Sequence, residues 1–228
     1  MQLHLRPAHS ASRGRNLALL LVFVVQLQFV NPITLESRLH LGLYMLLYIG
    51  MIFFGIRTVR DERQPRLVVA GLGVVLFFFA IWFAIAQESN AAAVSMLTSL
   101  AAFMLALMLA LMRFIFRRVQ AVGTELILAA VCVYVIMGGF FGATFSILEI
   151  AQPGSFDDPQ LAGQSPAWQQ LMYYSYVTMA TLGYGDIYPV TPWARSLASL
   201  EAVVGTLFLA VVIARLVGVW ASERAKAS

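Results

Sequence analysis

The chain has 228 residues, 61% of them hydrophobic and only 11% charged, with a formal net charge of +4. Water-soluble domains average roughly 45–50% apolar and about 25% charged residues, so too few charges are present to cover a water-facing surface and an ordinary soluble domain is excluded. The single cysteine, Cys132, excludes an intrachain disulfide framework and argues against a cysteine-based metal site.

Apolar runs cover residues 16–30, 40–56, 67–86, 91–116, 126–148 and 196–219. Each is a helix candidate, and six crossings at about 20 residues apiece account for most of the chain, leaving little for any extramembrane domain. The first run follows Arg13 and Arg15, a layout shared with secretory signal peptides. No small-residue cleavage site follows in Gln26-Leu27-Gln28-Phe29-Val30, and removal would leave five crossings, so an uncleaved helix fits better. Asn31-Pro32, residues 57–66, Gln87-Glu88-Ser89-Asn90 and Arg117-Arg118 punctuate the ends of the first four runs. Met104, Met108 and Met112 form a stripe on the fourth, read as packing because Met fills irregular helix contacts. A seventh stretch, residues 168–180, would span only about 20 Å as a helix, too short to cross.

Basic residues cluster at Arg6, Arg13 and Arg15; at Arg57, Arg60, Arg63 and Arg66; at Arg113, Arg117 and Arg118; and at Arg215, Arg224 and Lys226. With six crossings all four clusters fall on one side, which the positive-inside rule makes the cytoplasm, with both termini inside and Arg38 and Arg195 outside. This distribution explains the net charge as membrane topology, not nucleic-acid binding. A cell-membrane location, with the bilayer as a partner, follows. His4, His9 and His40 are scattered and suggest no metal site.

One segment stands apart: Thr178-Met179-Ala180-Thr181-Leu182-Gly183-Tyr184-Gly185-Asp186, between the short stretch and the last apolar run. It resembles the pore loop of potassium channels, which carry TVGYG where this chain has Thr181-Leu182-Gly183-Tyr184-Gly185. The resemblance covers about residues 126–219 and includes Tyr188-Pro189-Val190-Thr191-Pro192 after the loop; the first four helices match only in number. The residue types have a physical reason of their own. A dehydrated monovalent cation needs oxygens that replace its water without binding it too tightly, which suits backbone carbonyls. Lining a pore with successive carbonyls requires alternate residues at left-handed angles, which glycine reaches without a Cβ penalty. Gly183 and Gly185 meet that need, and K+ would sit at the carbonyls of Thr181, Leu182, Gly183 and Tyr184. Thr181 can add its hydroxyl, the Tyr184 ring can wedge the loop against surrounding helices, and Asp186 closes the segment. Irregular backbone at membrane depth is tolerated where it is buried in protein or lines a water-filled cavity, and this loop would do both.

The resemblance implies that aromatic residues at Tyr173 and Tyr174 brace the filter from behind, and that Gly205 marks a possible gating hinge; close helix packing is an equal reading of Gly205. Trp168, Tyr173, Tyr174 and Tyr176 have the alternative reading of an interfacial belt. Glu201, roughly 12 to 14 Å into the last helix, should face the protein interior and find a partner among the hydroxyls of Ser175, Thr178 and Tyr174, making it a filter support together with Thr178. The fourth run carries no charge over residues 91–112, unlike the arginine-bearing fourth helix of voltage-gated relatives, so strong voltage gating is not expected.

The expectation is an all-α integral membrane protein with six transmembrane helices, a re-entrant pore helix and a selectivity-filter loop. It divides into a cytoplasmic tail at 1–15, a four-helix membrane domain at 16–118, a pore domain at 119–220 and a short tail at 221–228. One chain supplies one filter strand, so a homotetramer closes the ring. The function expected is passive, potassium-selective conduction, with K+ as permeant ion and no cofactor. The alternative is a non-conducting or accessory channel-like subunit. An enzyme is not expected, since an intramembrane hydrolase would want a nucleophile–base pair or a His/Glu motif within a span.

Overall fold

The computed structural model describes residues 7–29, 39–59, 63–117, 123–161 and 164–227. Of the residues singled out above, His4, Arg6, Val30, Asn31, Pro32, Arg38, Arg60 and Arg118 lie outside them. The chain is all-α, with helices α1 (Pro7–Phe29), α2 (Leu39–Thr58), α3 (Arg63–Ile85), α4 (Asn90–Arg117), α5 (Gly123–Ala151), α6 (Trp168–Met179) and α7 (Pro192–Ala227). Two short strands, β1 (Phe156–Asp157) and β2 (Tyr188–Pro189), pair antiparallel with Phe156 opposite Pro189 and Asp157 opposite Tyr188.

Local chemistry sets the helix starts. Ser89 and Thr191 act as N-caps: their hydroxyl oxygens accept from the backbone N–H groups of Ala92 and Ala194, each at 3.4 Å. Pro192 then occupies the first helical position, where its missing N–H costs nothing. Before α6, Ala167 has no side-chain acceptor, and the Gln170 side chain instead reaches back to accept from the Ala167 N–H at 2.7 Å. Two helices outrun their apolar cores. α1 already starts at Pro7, inside the stretch expected to be tail, and α7 continues through Ala227. Hydropathy marks only the part suited to lipid, whereas Ala, Arg, Lys and Glu extend a helix equally well into water.

Among the described residues four helices are long and apolar enough to cross a membrane, over Pro65–Ile85, Asn90–Phe116, Thr124–Ala151 and Pro192–Ala221, with a shorter apolar helix at Met45–Thr58. At 12 residues α6 is too short to span.

The residues form two compact units, 1–71 with 106–135 and 209–228, and 72–105 with 136–208. In the first, α1 buries Leu17, Leu20, Val24 and Leu27, a stripe at helical spacing. It meets α2 where Gly50 has no side chain: a Cβ there would stand 2.2 Å from the Phe23 ring. Phe23 stacks on Phe54 at 5.4 Å, and the Cys132 thiol donates to the Leu17 carbonyl at 3.4 Å. Close approach through small residues is the main source of helix association in lipid, where apolar burial alone distinguishes nothing. The second unit contains every residue of the candidate site. Its core includes Leu97, Leu100, Phe103 and Met104 of α4, with Phe141 and Phe145 of α5.

Candidate functional site

The site is built on α6. Its last turn ends at Ala180, whose N–H donates to the Tyr176 carbonyl at 2.9 Å. The chain then leaves helical geometry: the Thr181 N–H reaches the Thr178 carbonyl at 3.1 Å and the Leu182 N–H reaches the Val177 carbonyl at 2.9 Å. From there every second residue is left-handed, with φ of 58° at Thr181, 58° at Gly183 and 75° at Gly185. Glycine makes this alternation easy at two of the three positions. At Thr181 a β-branched residue adopts it, at a cost of about 1–2 kcal/mol that the surrounding contacts must offset. Alternating hand along an extended strand turns successive peptide carbonyls toward a common side, as a carbonyl-lined filter needs.

In the single chain the loop is open. Leu182 and Tyr184 are 56% and 66% exposed, so the Tyr184 ring is not buried among the helices of this chain. Asp186 closes the segment by accepting from the Ile187 N–H at 3.0 Å and from the Tyr173 hydroxyl at 2.8 Å. That hydrogen bond, helped by the nearby carboxylate charge, pushes the Tyr173 phenol up to about 12 and keeps it a donor. Tyr173 thus ties the first turns of α6 to the far end of the loop.

Tyr174 points elsewhere. It is buried against Phe145 of α5 at 5.3 Å and Phe156 of β1 at 5.4 Å, and the Phe145 and Phe156 rings meet each other at 5.2 Å. Its ring contacts are thus with α5 and β1. Thr178 pairs its hydroxyl with the Tyr174 phenol. Of the three hydroxyls expected for Glu201, Ser175 is the one that reaches it. Both residues are fully buried, and the Ser175 hydroxyl also contacts the Gly138 carbonyl of α5 at 2.7 Å. Gly205 is buried where α7 passes the end of α6: a Cβ there would come 2.8 Å from Met179 Cγ, so the close-packing reading of this glycine has a direct contact behind it.

Other residues of the site carry no sequence motif. Residues 152–160 form a clip against residues 188–190 and the start of α6. Its β1 strand pairs with β2, the Tyr188 hydroxyl donates to Asp157 at 2.5 Å, and the Val190 N–H donates to the Ser155 carbonyl at 2.8 Å. The Asp157 hydrogen bond raises the Tyr188 phenol above its ordinary range. Asp158 accepts from Gln170 at 3.2 Å, fastening the clip to the start of α6. Glu149, 4% exposed at the end of α5, accepts from the N–H groups of Gly154 at 2.8 Å and Phe156 at 3.0 Å. The signals available in the sequence were the Glu149 carboxylate ending an apolar run and the Pro153-Gly154 turn, neither specific enough to single out. Glu149→Ala would strand the buried Phe156 N–H, at about 1–3 kcal/mol, and leave the exposed Gly154 N–H to water. Thermal unfolding in detergent should show this loss, whereas Glu149→Gln retains one acceptor and should lose less.

Residues 126–221 match the ion channel family. The chain is 35% identical over 82 residues to the inward rectifier potassium channel Kirbac3.1 of Paramagnetospirillum magnetotacticum, covering 34% of this chain and 24% of that protein. It is 41% identical over 46 residues to two-pore potassium channel 5 of Arabidopsis thaliana, covering 20% of this chain and 11% of that one. The matched segments thus span a quarter or less of these relatives' lengths. No solved structure matches the chain. With its helix–loop–helix order and the alternating backbone of Thr181, Gly183 and Gly185, the segment 126–221 is similar to the pore-loop segment of the ion channel family and of these two potassium channels.

Proposed function

We propose that this chain is one subunit of a homotetrameric, potassium-selective channel of the cell membrane, conducting K+ passively. The observation that carries the reading is the alternation of left-handed residues at Thr181, Gly183 and Gly185, directly after a helix too short to span. Four such strands around an axis supply rings of carbonyls from Thr181, Leu182, Gly183 and Tyr184, and the Thr181 hydroxyl adds a further ring. The C-terminal end of α6 directs its partial negative charge at the pore, which favours cations.

Two features support assembly. The Tyr184 ring, open in the single chain, is placed to pack on a neighbouring pore helix. On α7 the buried residues Ala194, Ala198, Glu201, Gly205 and Phe208 follow a single stripe, leaving Leu200, Val203, Val204 and Leu207 exposed for the pore and adjacent copies. In the proposed ring Gly205, packed on Met179, is also the point at which α7 can bend on opening. The basic clusters orient the chain with both termini in the cytoplasm and six crossings, α1 and α2 included. Potassium flux from purified protein in liposomes tests the reading. Flux that follows K+ and excludes Na+ is expected, and assembled protein without flux would make it a non-conducting channel-like subunit.

Conduction should depend only weakly on voltage. α4 carries no charged residue from Asn90 to Met112, and each elementary charge moved across the field contributes about 2.3 kcal/mol per 100 mV. Currents recorded in symmetric potassium should therefore lack a steep sigmoidal dependence; one equivalent to several gating charges would refute this part of the reading.

A further inference from the structure

Three helices meet at one hydroxyl. Ser175 on α6 lies 2.7 Å from the Gly138 carbonyl of α5 and hydrogen bonds to Oε1 of Glu201 on α7, with Ser175 and Glu201 both fully buried. A serine hydroxyl has one hydrogen to give and two lone pairs to receive. The Gly138 carbonyl can only accept, so the Ser175 hydrogen belongs to that bond; otherwise two oxygens would face each other at 2.7 Å with no hydrogen between them. The bond to Glu201 then needs its hydrogen from Glu201. The other carboxyl oxygen, Oε2, is buried without a hydrogen-bond partner. A neutral carbonyl oxygen tolerates that position far better than an ion does, since a buried charge requires a counter-charge or several donors. Among the described residues no cation is placed beside Glu201. The titratable group facing it is the Tyr174 phenol on α6, itself engaged with Thr178; α5 presents the Gly138 carbonyl, and Arg195 of α7 is exposed and turned to the Pro189 carbonyl.

We infer that Glu201 is a neutral carboxylic acid whose proton fastens α7 to α6, through a directed chain from the Glu201 carboxyl to the Ser175 hydroxyl to the Gly138 carbonyl, and that alkaline pH opens this fastening. The balance of the step is simple. Glu201 releases H+ to the solvent, its carboxylate takes the Ser175 hydrogen, and the Gly138 carbonyl loses its donor. One proton thereby reverses the direction of the chain, cuts the α5–α6 bond and leaves an uncompensated charge between the pore helix and the inner helix. The consequence for conduction rests on the channel reading above; the protonation state does not. Within that reading Glu201 is a positioning residue for the filter, acting through α6, and conduction is lost reversibly as the proton leaves.

The test uses the full chain in liposomes, as wild type, Glu201→Gln and Ser175→Ala. Infrared spectroscopy at neutral pH should show the carbonyl stretch of a buried, protonated carboxyl, absent in Glu201→Gln and shifted in Ser175→Ala, where the acceptor is gone. Alkaline titration should remove the band and lower thermal stability together in wild type. Potassium flux should fall over the same alkaline range, by at least about tenfold per pH unit beyond the midpoint of the band, because each tetramer carries four such protons. Glu201→Gln, which keeps a donor, should retain neutral-pH flux and lose the alkaline fall. A missing band at neutral pH, a band unmoved by Ser175→Ala, or stability with the same pH profile in wild type and Glu201→Gln would overturn the inference, and all three readouts work without conduction. Flux that stays constant while the band titrates away would overturn the coupling to conduction. Absence of flux from every protein at every pH would instead refute the channel reading, with the infrared and stability data still deciding the proton.

Discussion

Gly183→Ala is expected to give protein that inserts and assembles but no longer distinguishes K+ from Na+. Gly183 has φ of 58°, and a Cβ built there meets nothing within 4 Å, so steric collision in the subunit is not the obstacle. The obstacle is the backbone: an alanine at left-handed angles carries about 1–2 kcal/mol that glycine does not. Rotating the peptide relieves that strain and turns one carbonyl per subunit away from the axis. A bias of this size changes a two-state population by a factor of roughly 5–30, and in the proposed tetramer it acts at four equivalent places. Bi-ionic reversal potentials in K+ against Na+ provide the measurement, and unchanged selectivity would remove the filter assignment. Thr181 offers an internal control. It already holds a left-handed φ as a non-glycine residue, so Thr181→Ser should leave selectivity largely in place while keeping the hydroxyl.

Gly142→Ala is expected to be the most damaging single-methyl addition in the second compact unit. The new Cβ would come 2.5 Å from the Met172 sulfur and 2.8 Å from its Cα, and a backbone atom cannot swing aside. α5 and α6 must then part, and overpacking of this kind costs about 1–3 kcal/mol or more. One turn earlier, Gly138→Ala would meet the Tyr176 ring at 2.4 Å, an obstruction belonging to a side chain that can rotate away. Thermal unfolding in detergent should therefore place Gly142→Ala well below Gly138→Ala and wild type. Equal stability of the two variants would mean that α5 and α6 do not approach as closely as described.

Much of this protein was legible before any tertiary information. Hydropathy located α3, α4, α5 and α7, the helices long and apolar enough to cross among the described residues, because in lipid the backbone must satisfy itself within each segment and the requirement is met locally. It was blind to the polar extensions of α1 and α7, where lipid suitability no longer reports on helicity. The Gly183 and Gly185 pair predicted alternating hand because φ is a property of single residues; Thr181 joining them could not be read, since nothing local rewards a threonine for that conformation. The direction of Tyr174, toward Phe145 and Phe156, depends on residues 29 positions before and 18 before it in the chain arriving at one place. The same holds for the choice of Ser175 over Thr178 and Tyr174 as partner of Glu201, for the Asp157–Tyr188 contact 31 residues apart, and for the need of glycine at 138 and 142. Sequence alone determined what depends on one residue's backbone or on one helix's exposure to lipid. Which hydroxyl meets which carboxyl was decided only when α5, α6 and α7 packed, because a hydrogen bond is a matter of a few tenths of an ångström and those are set by neighbours distant along the chain.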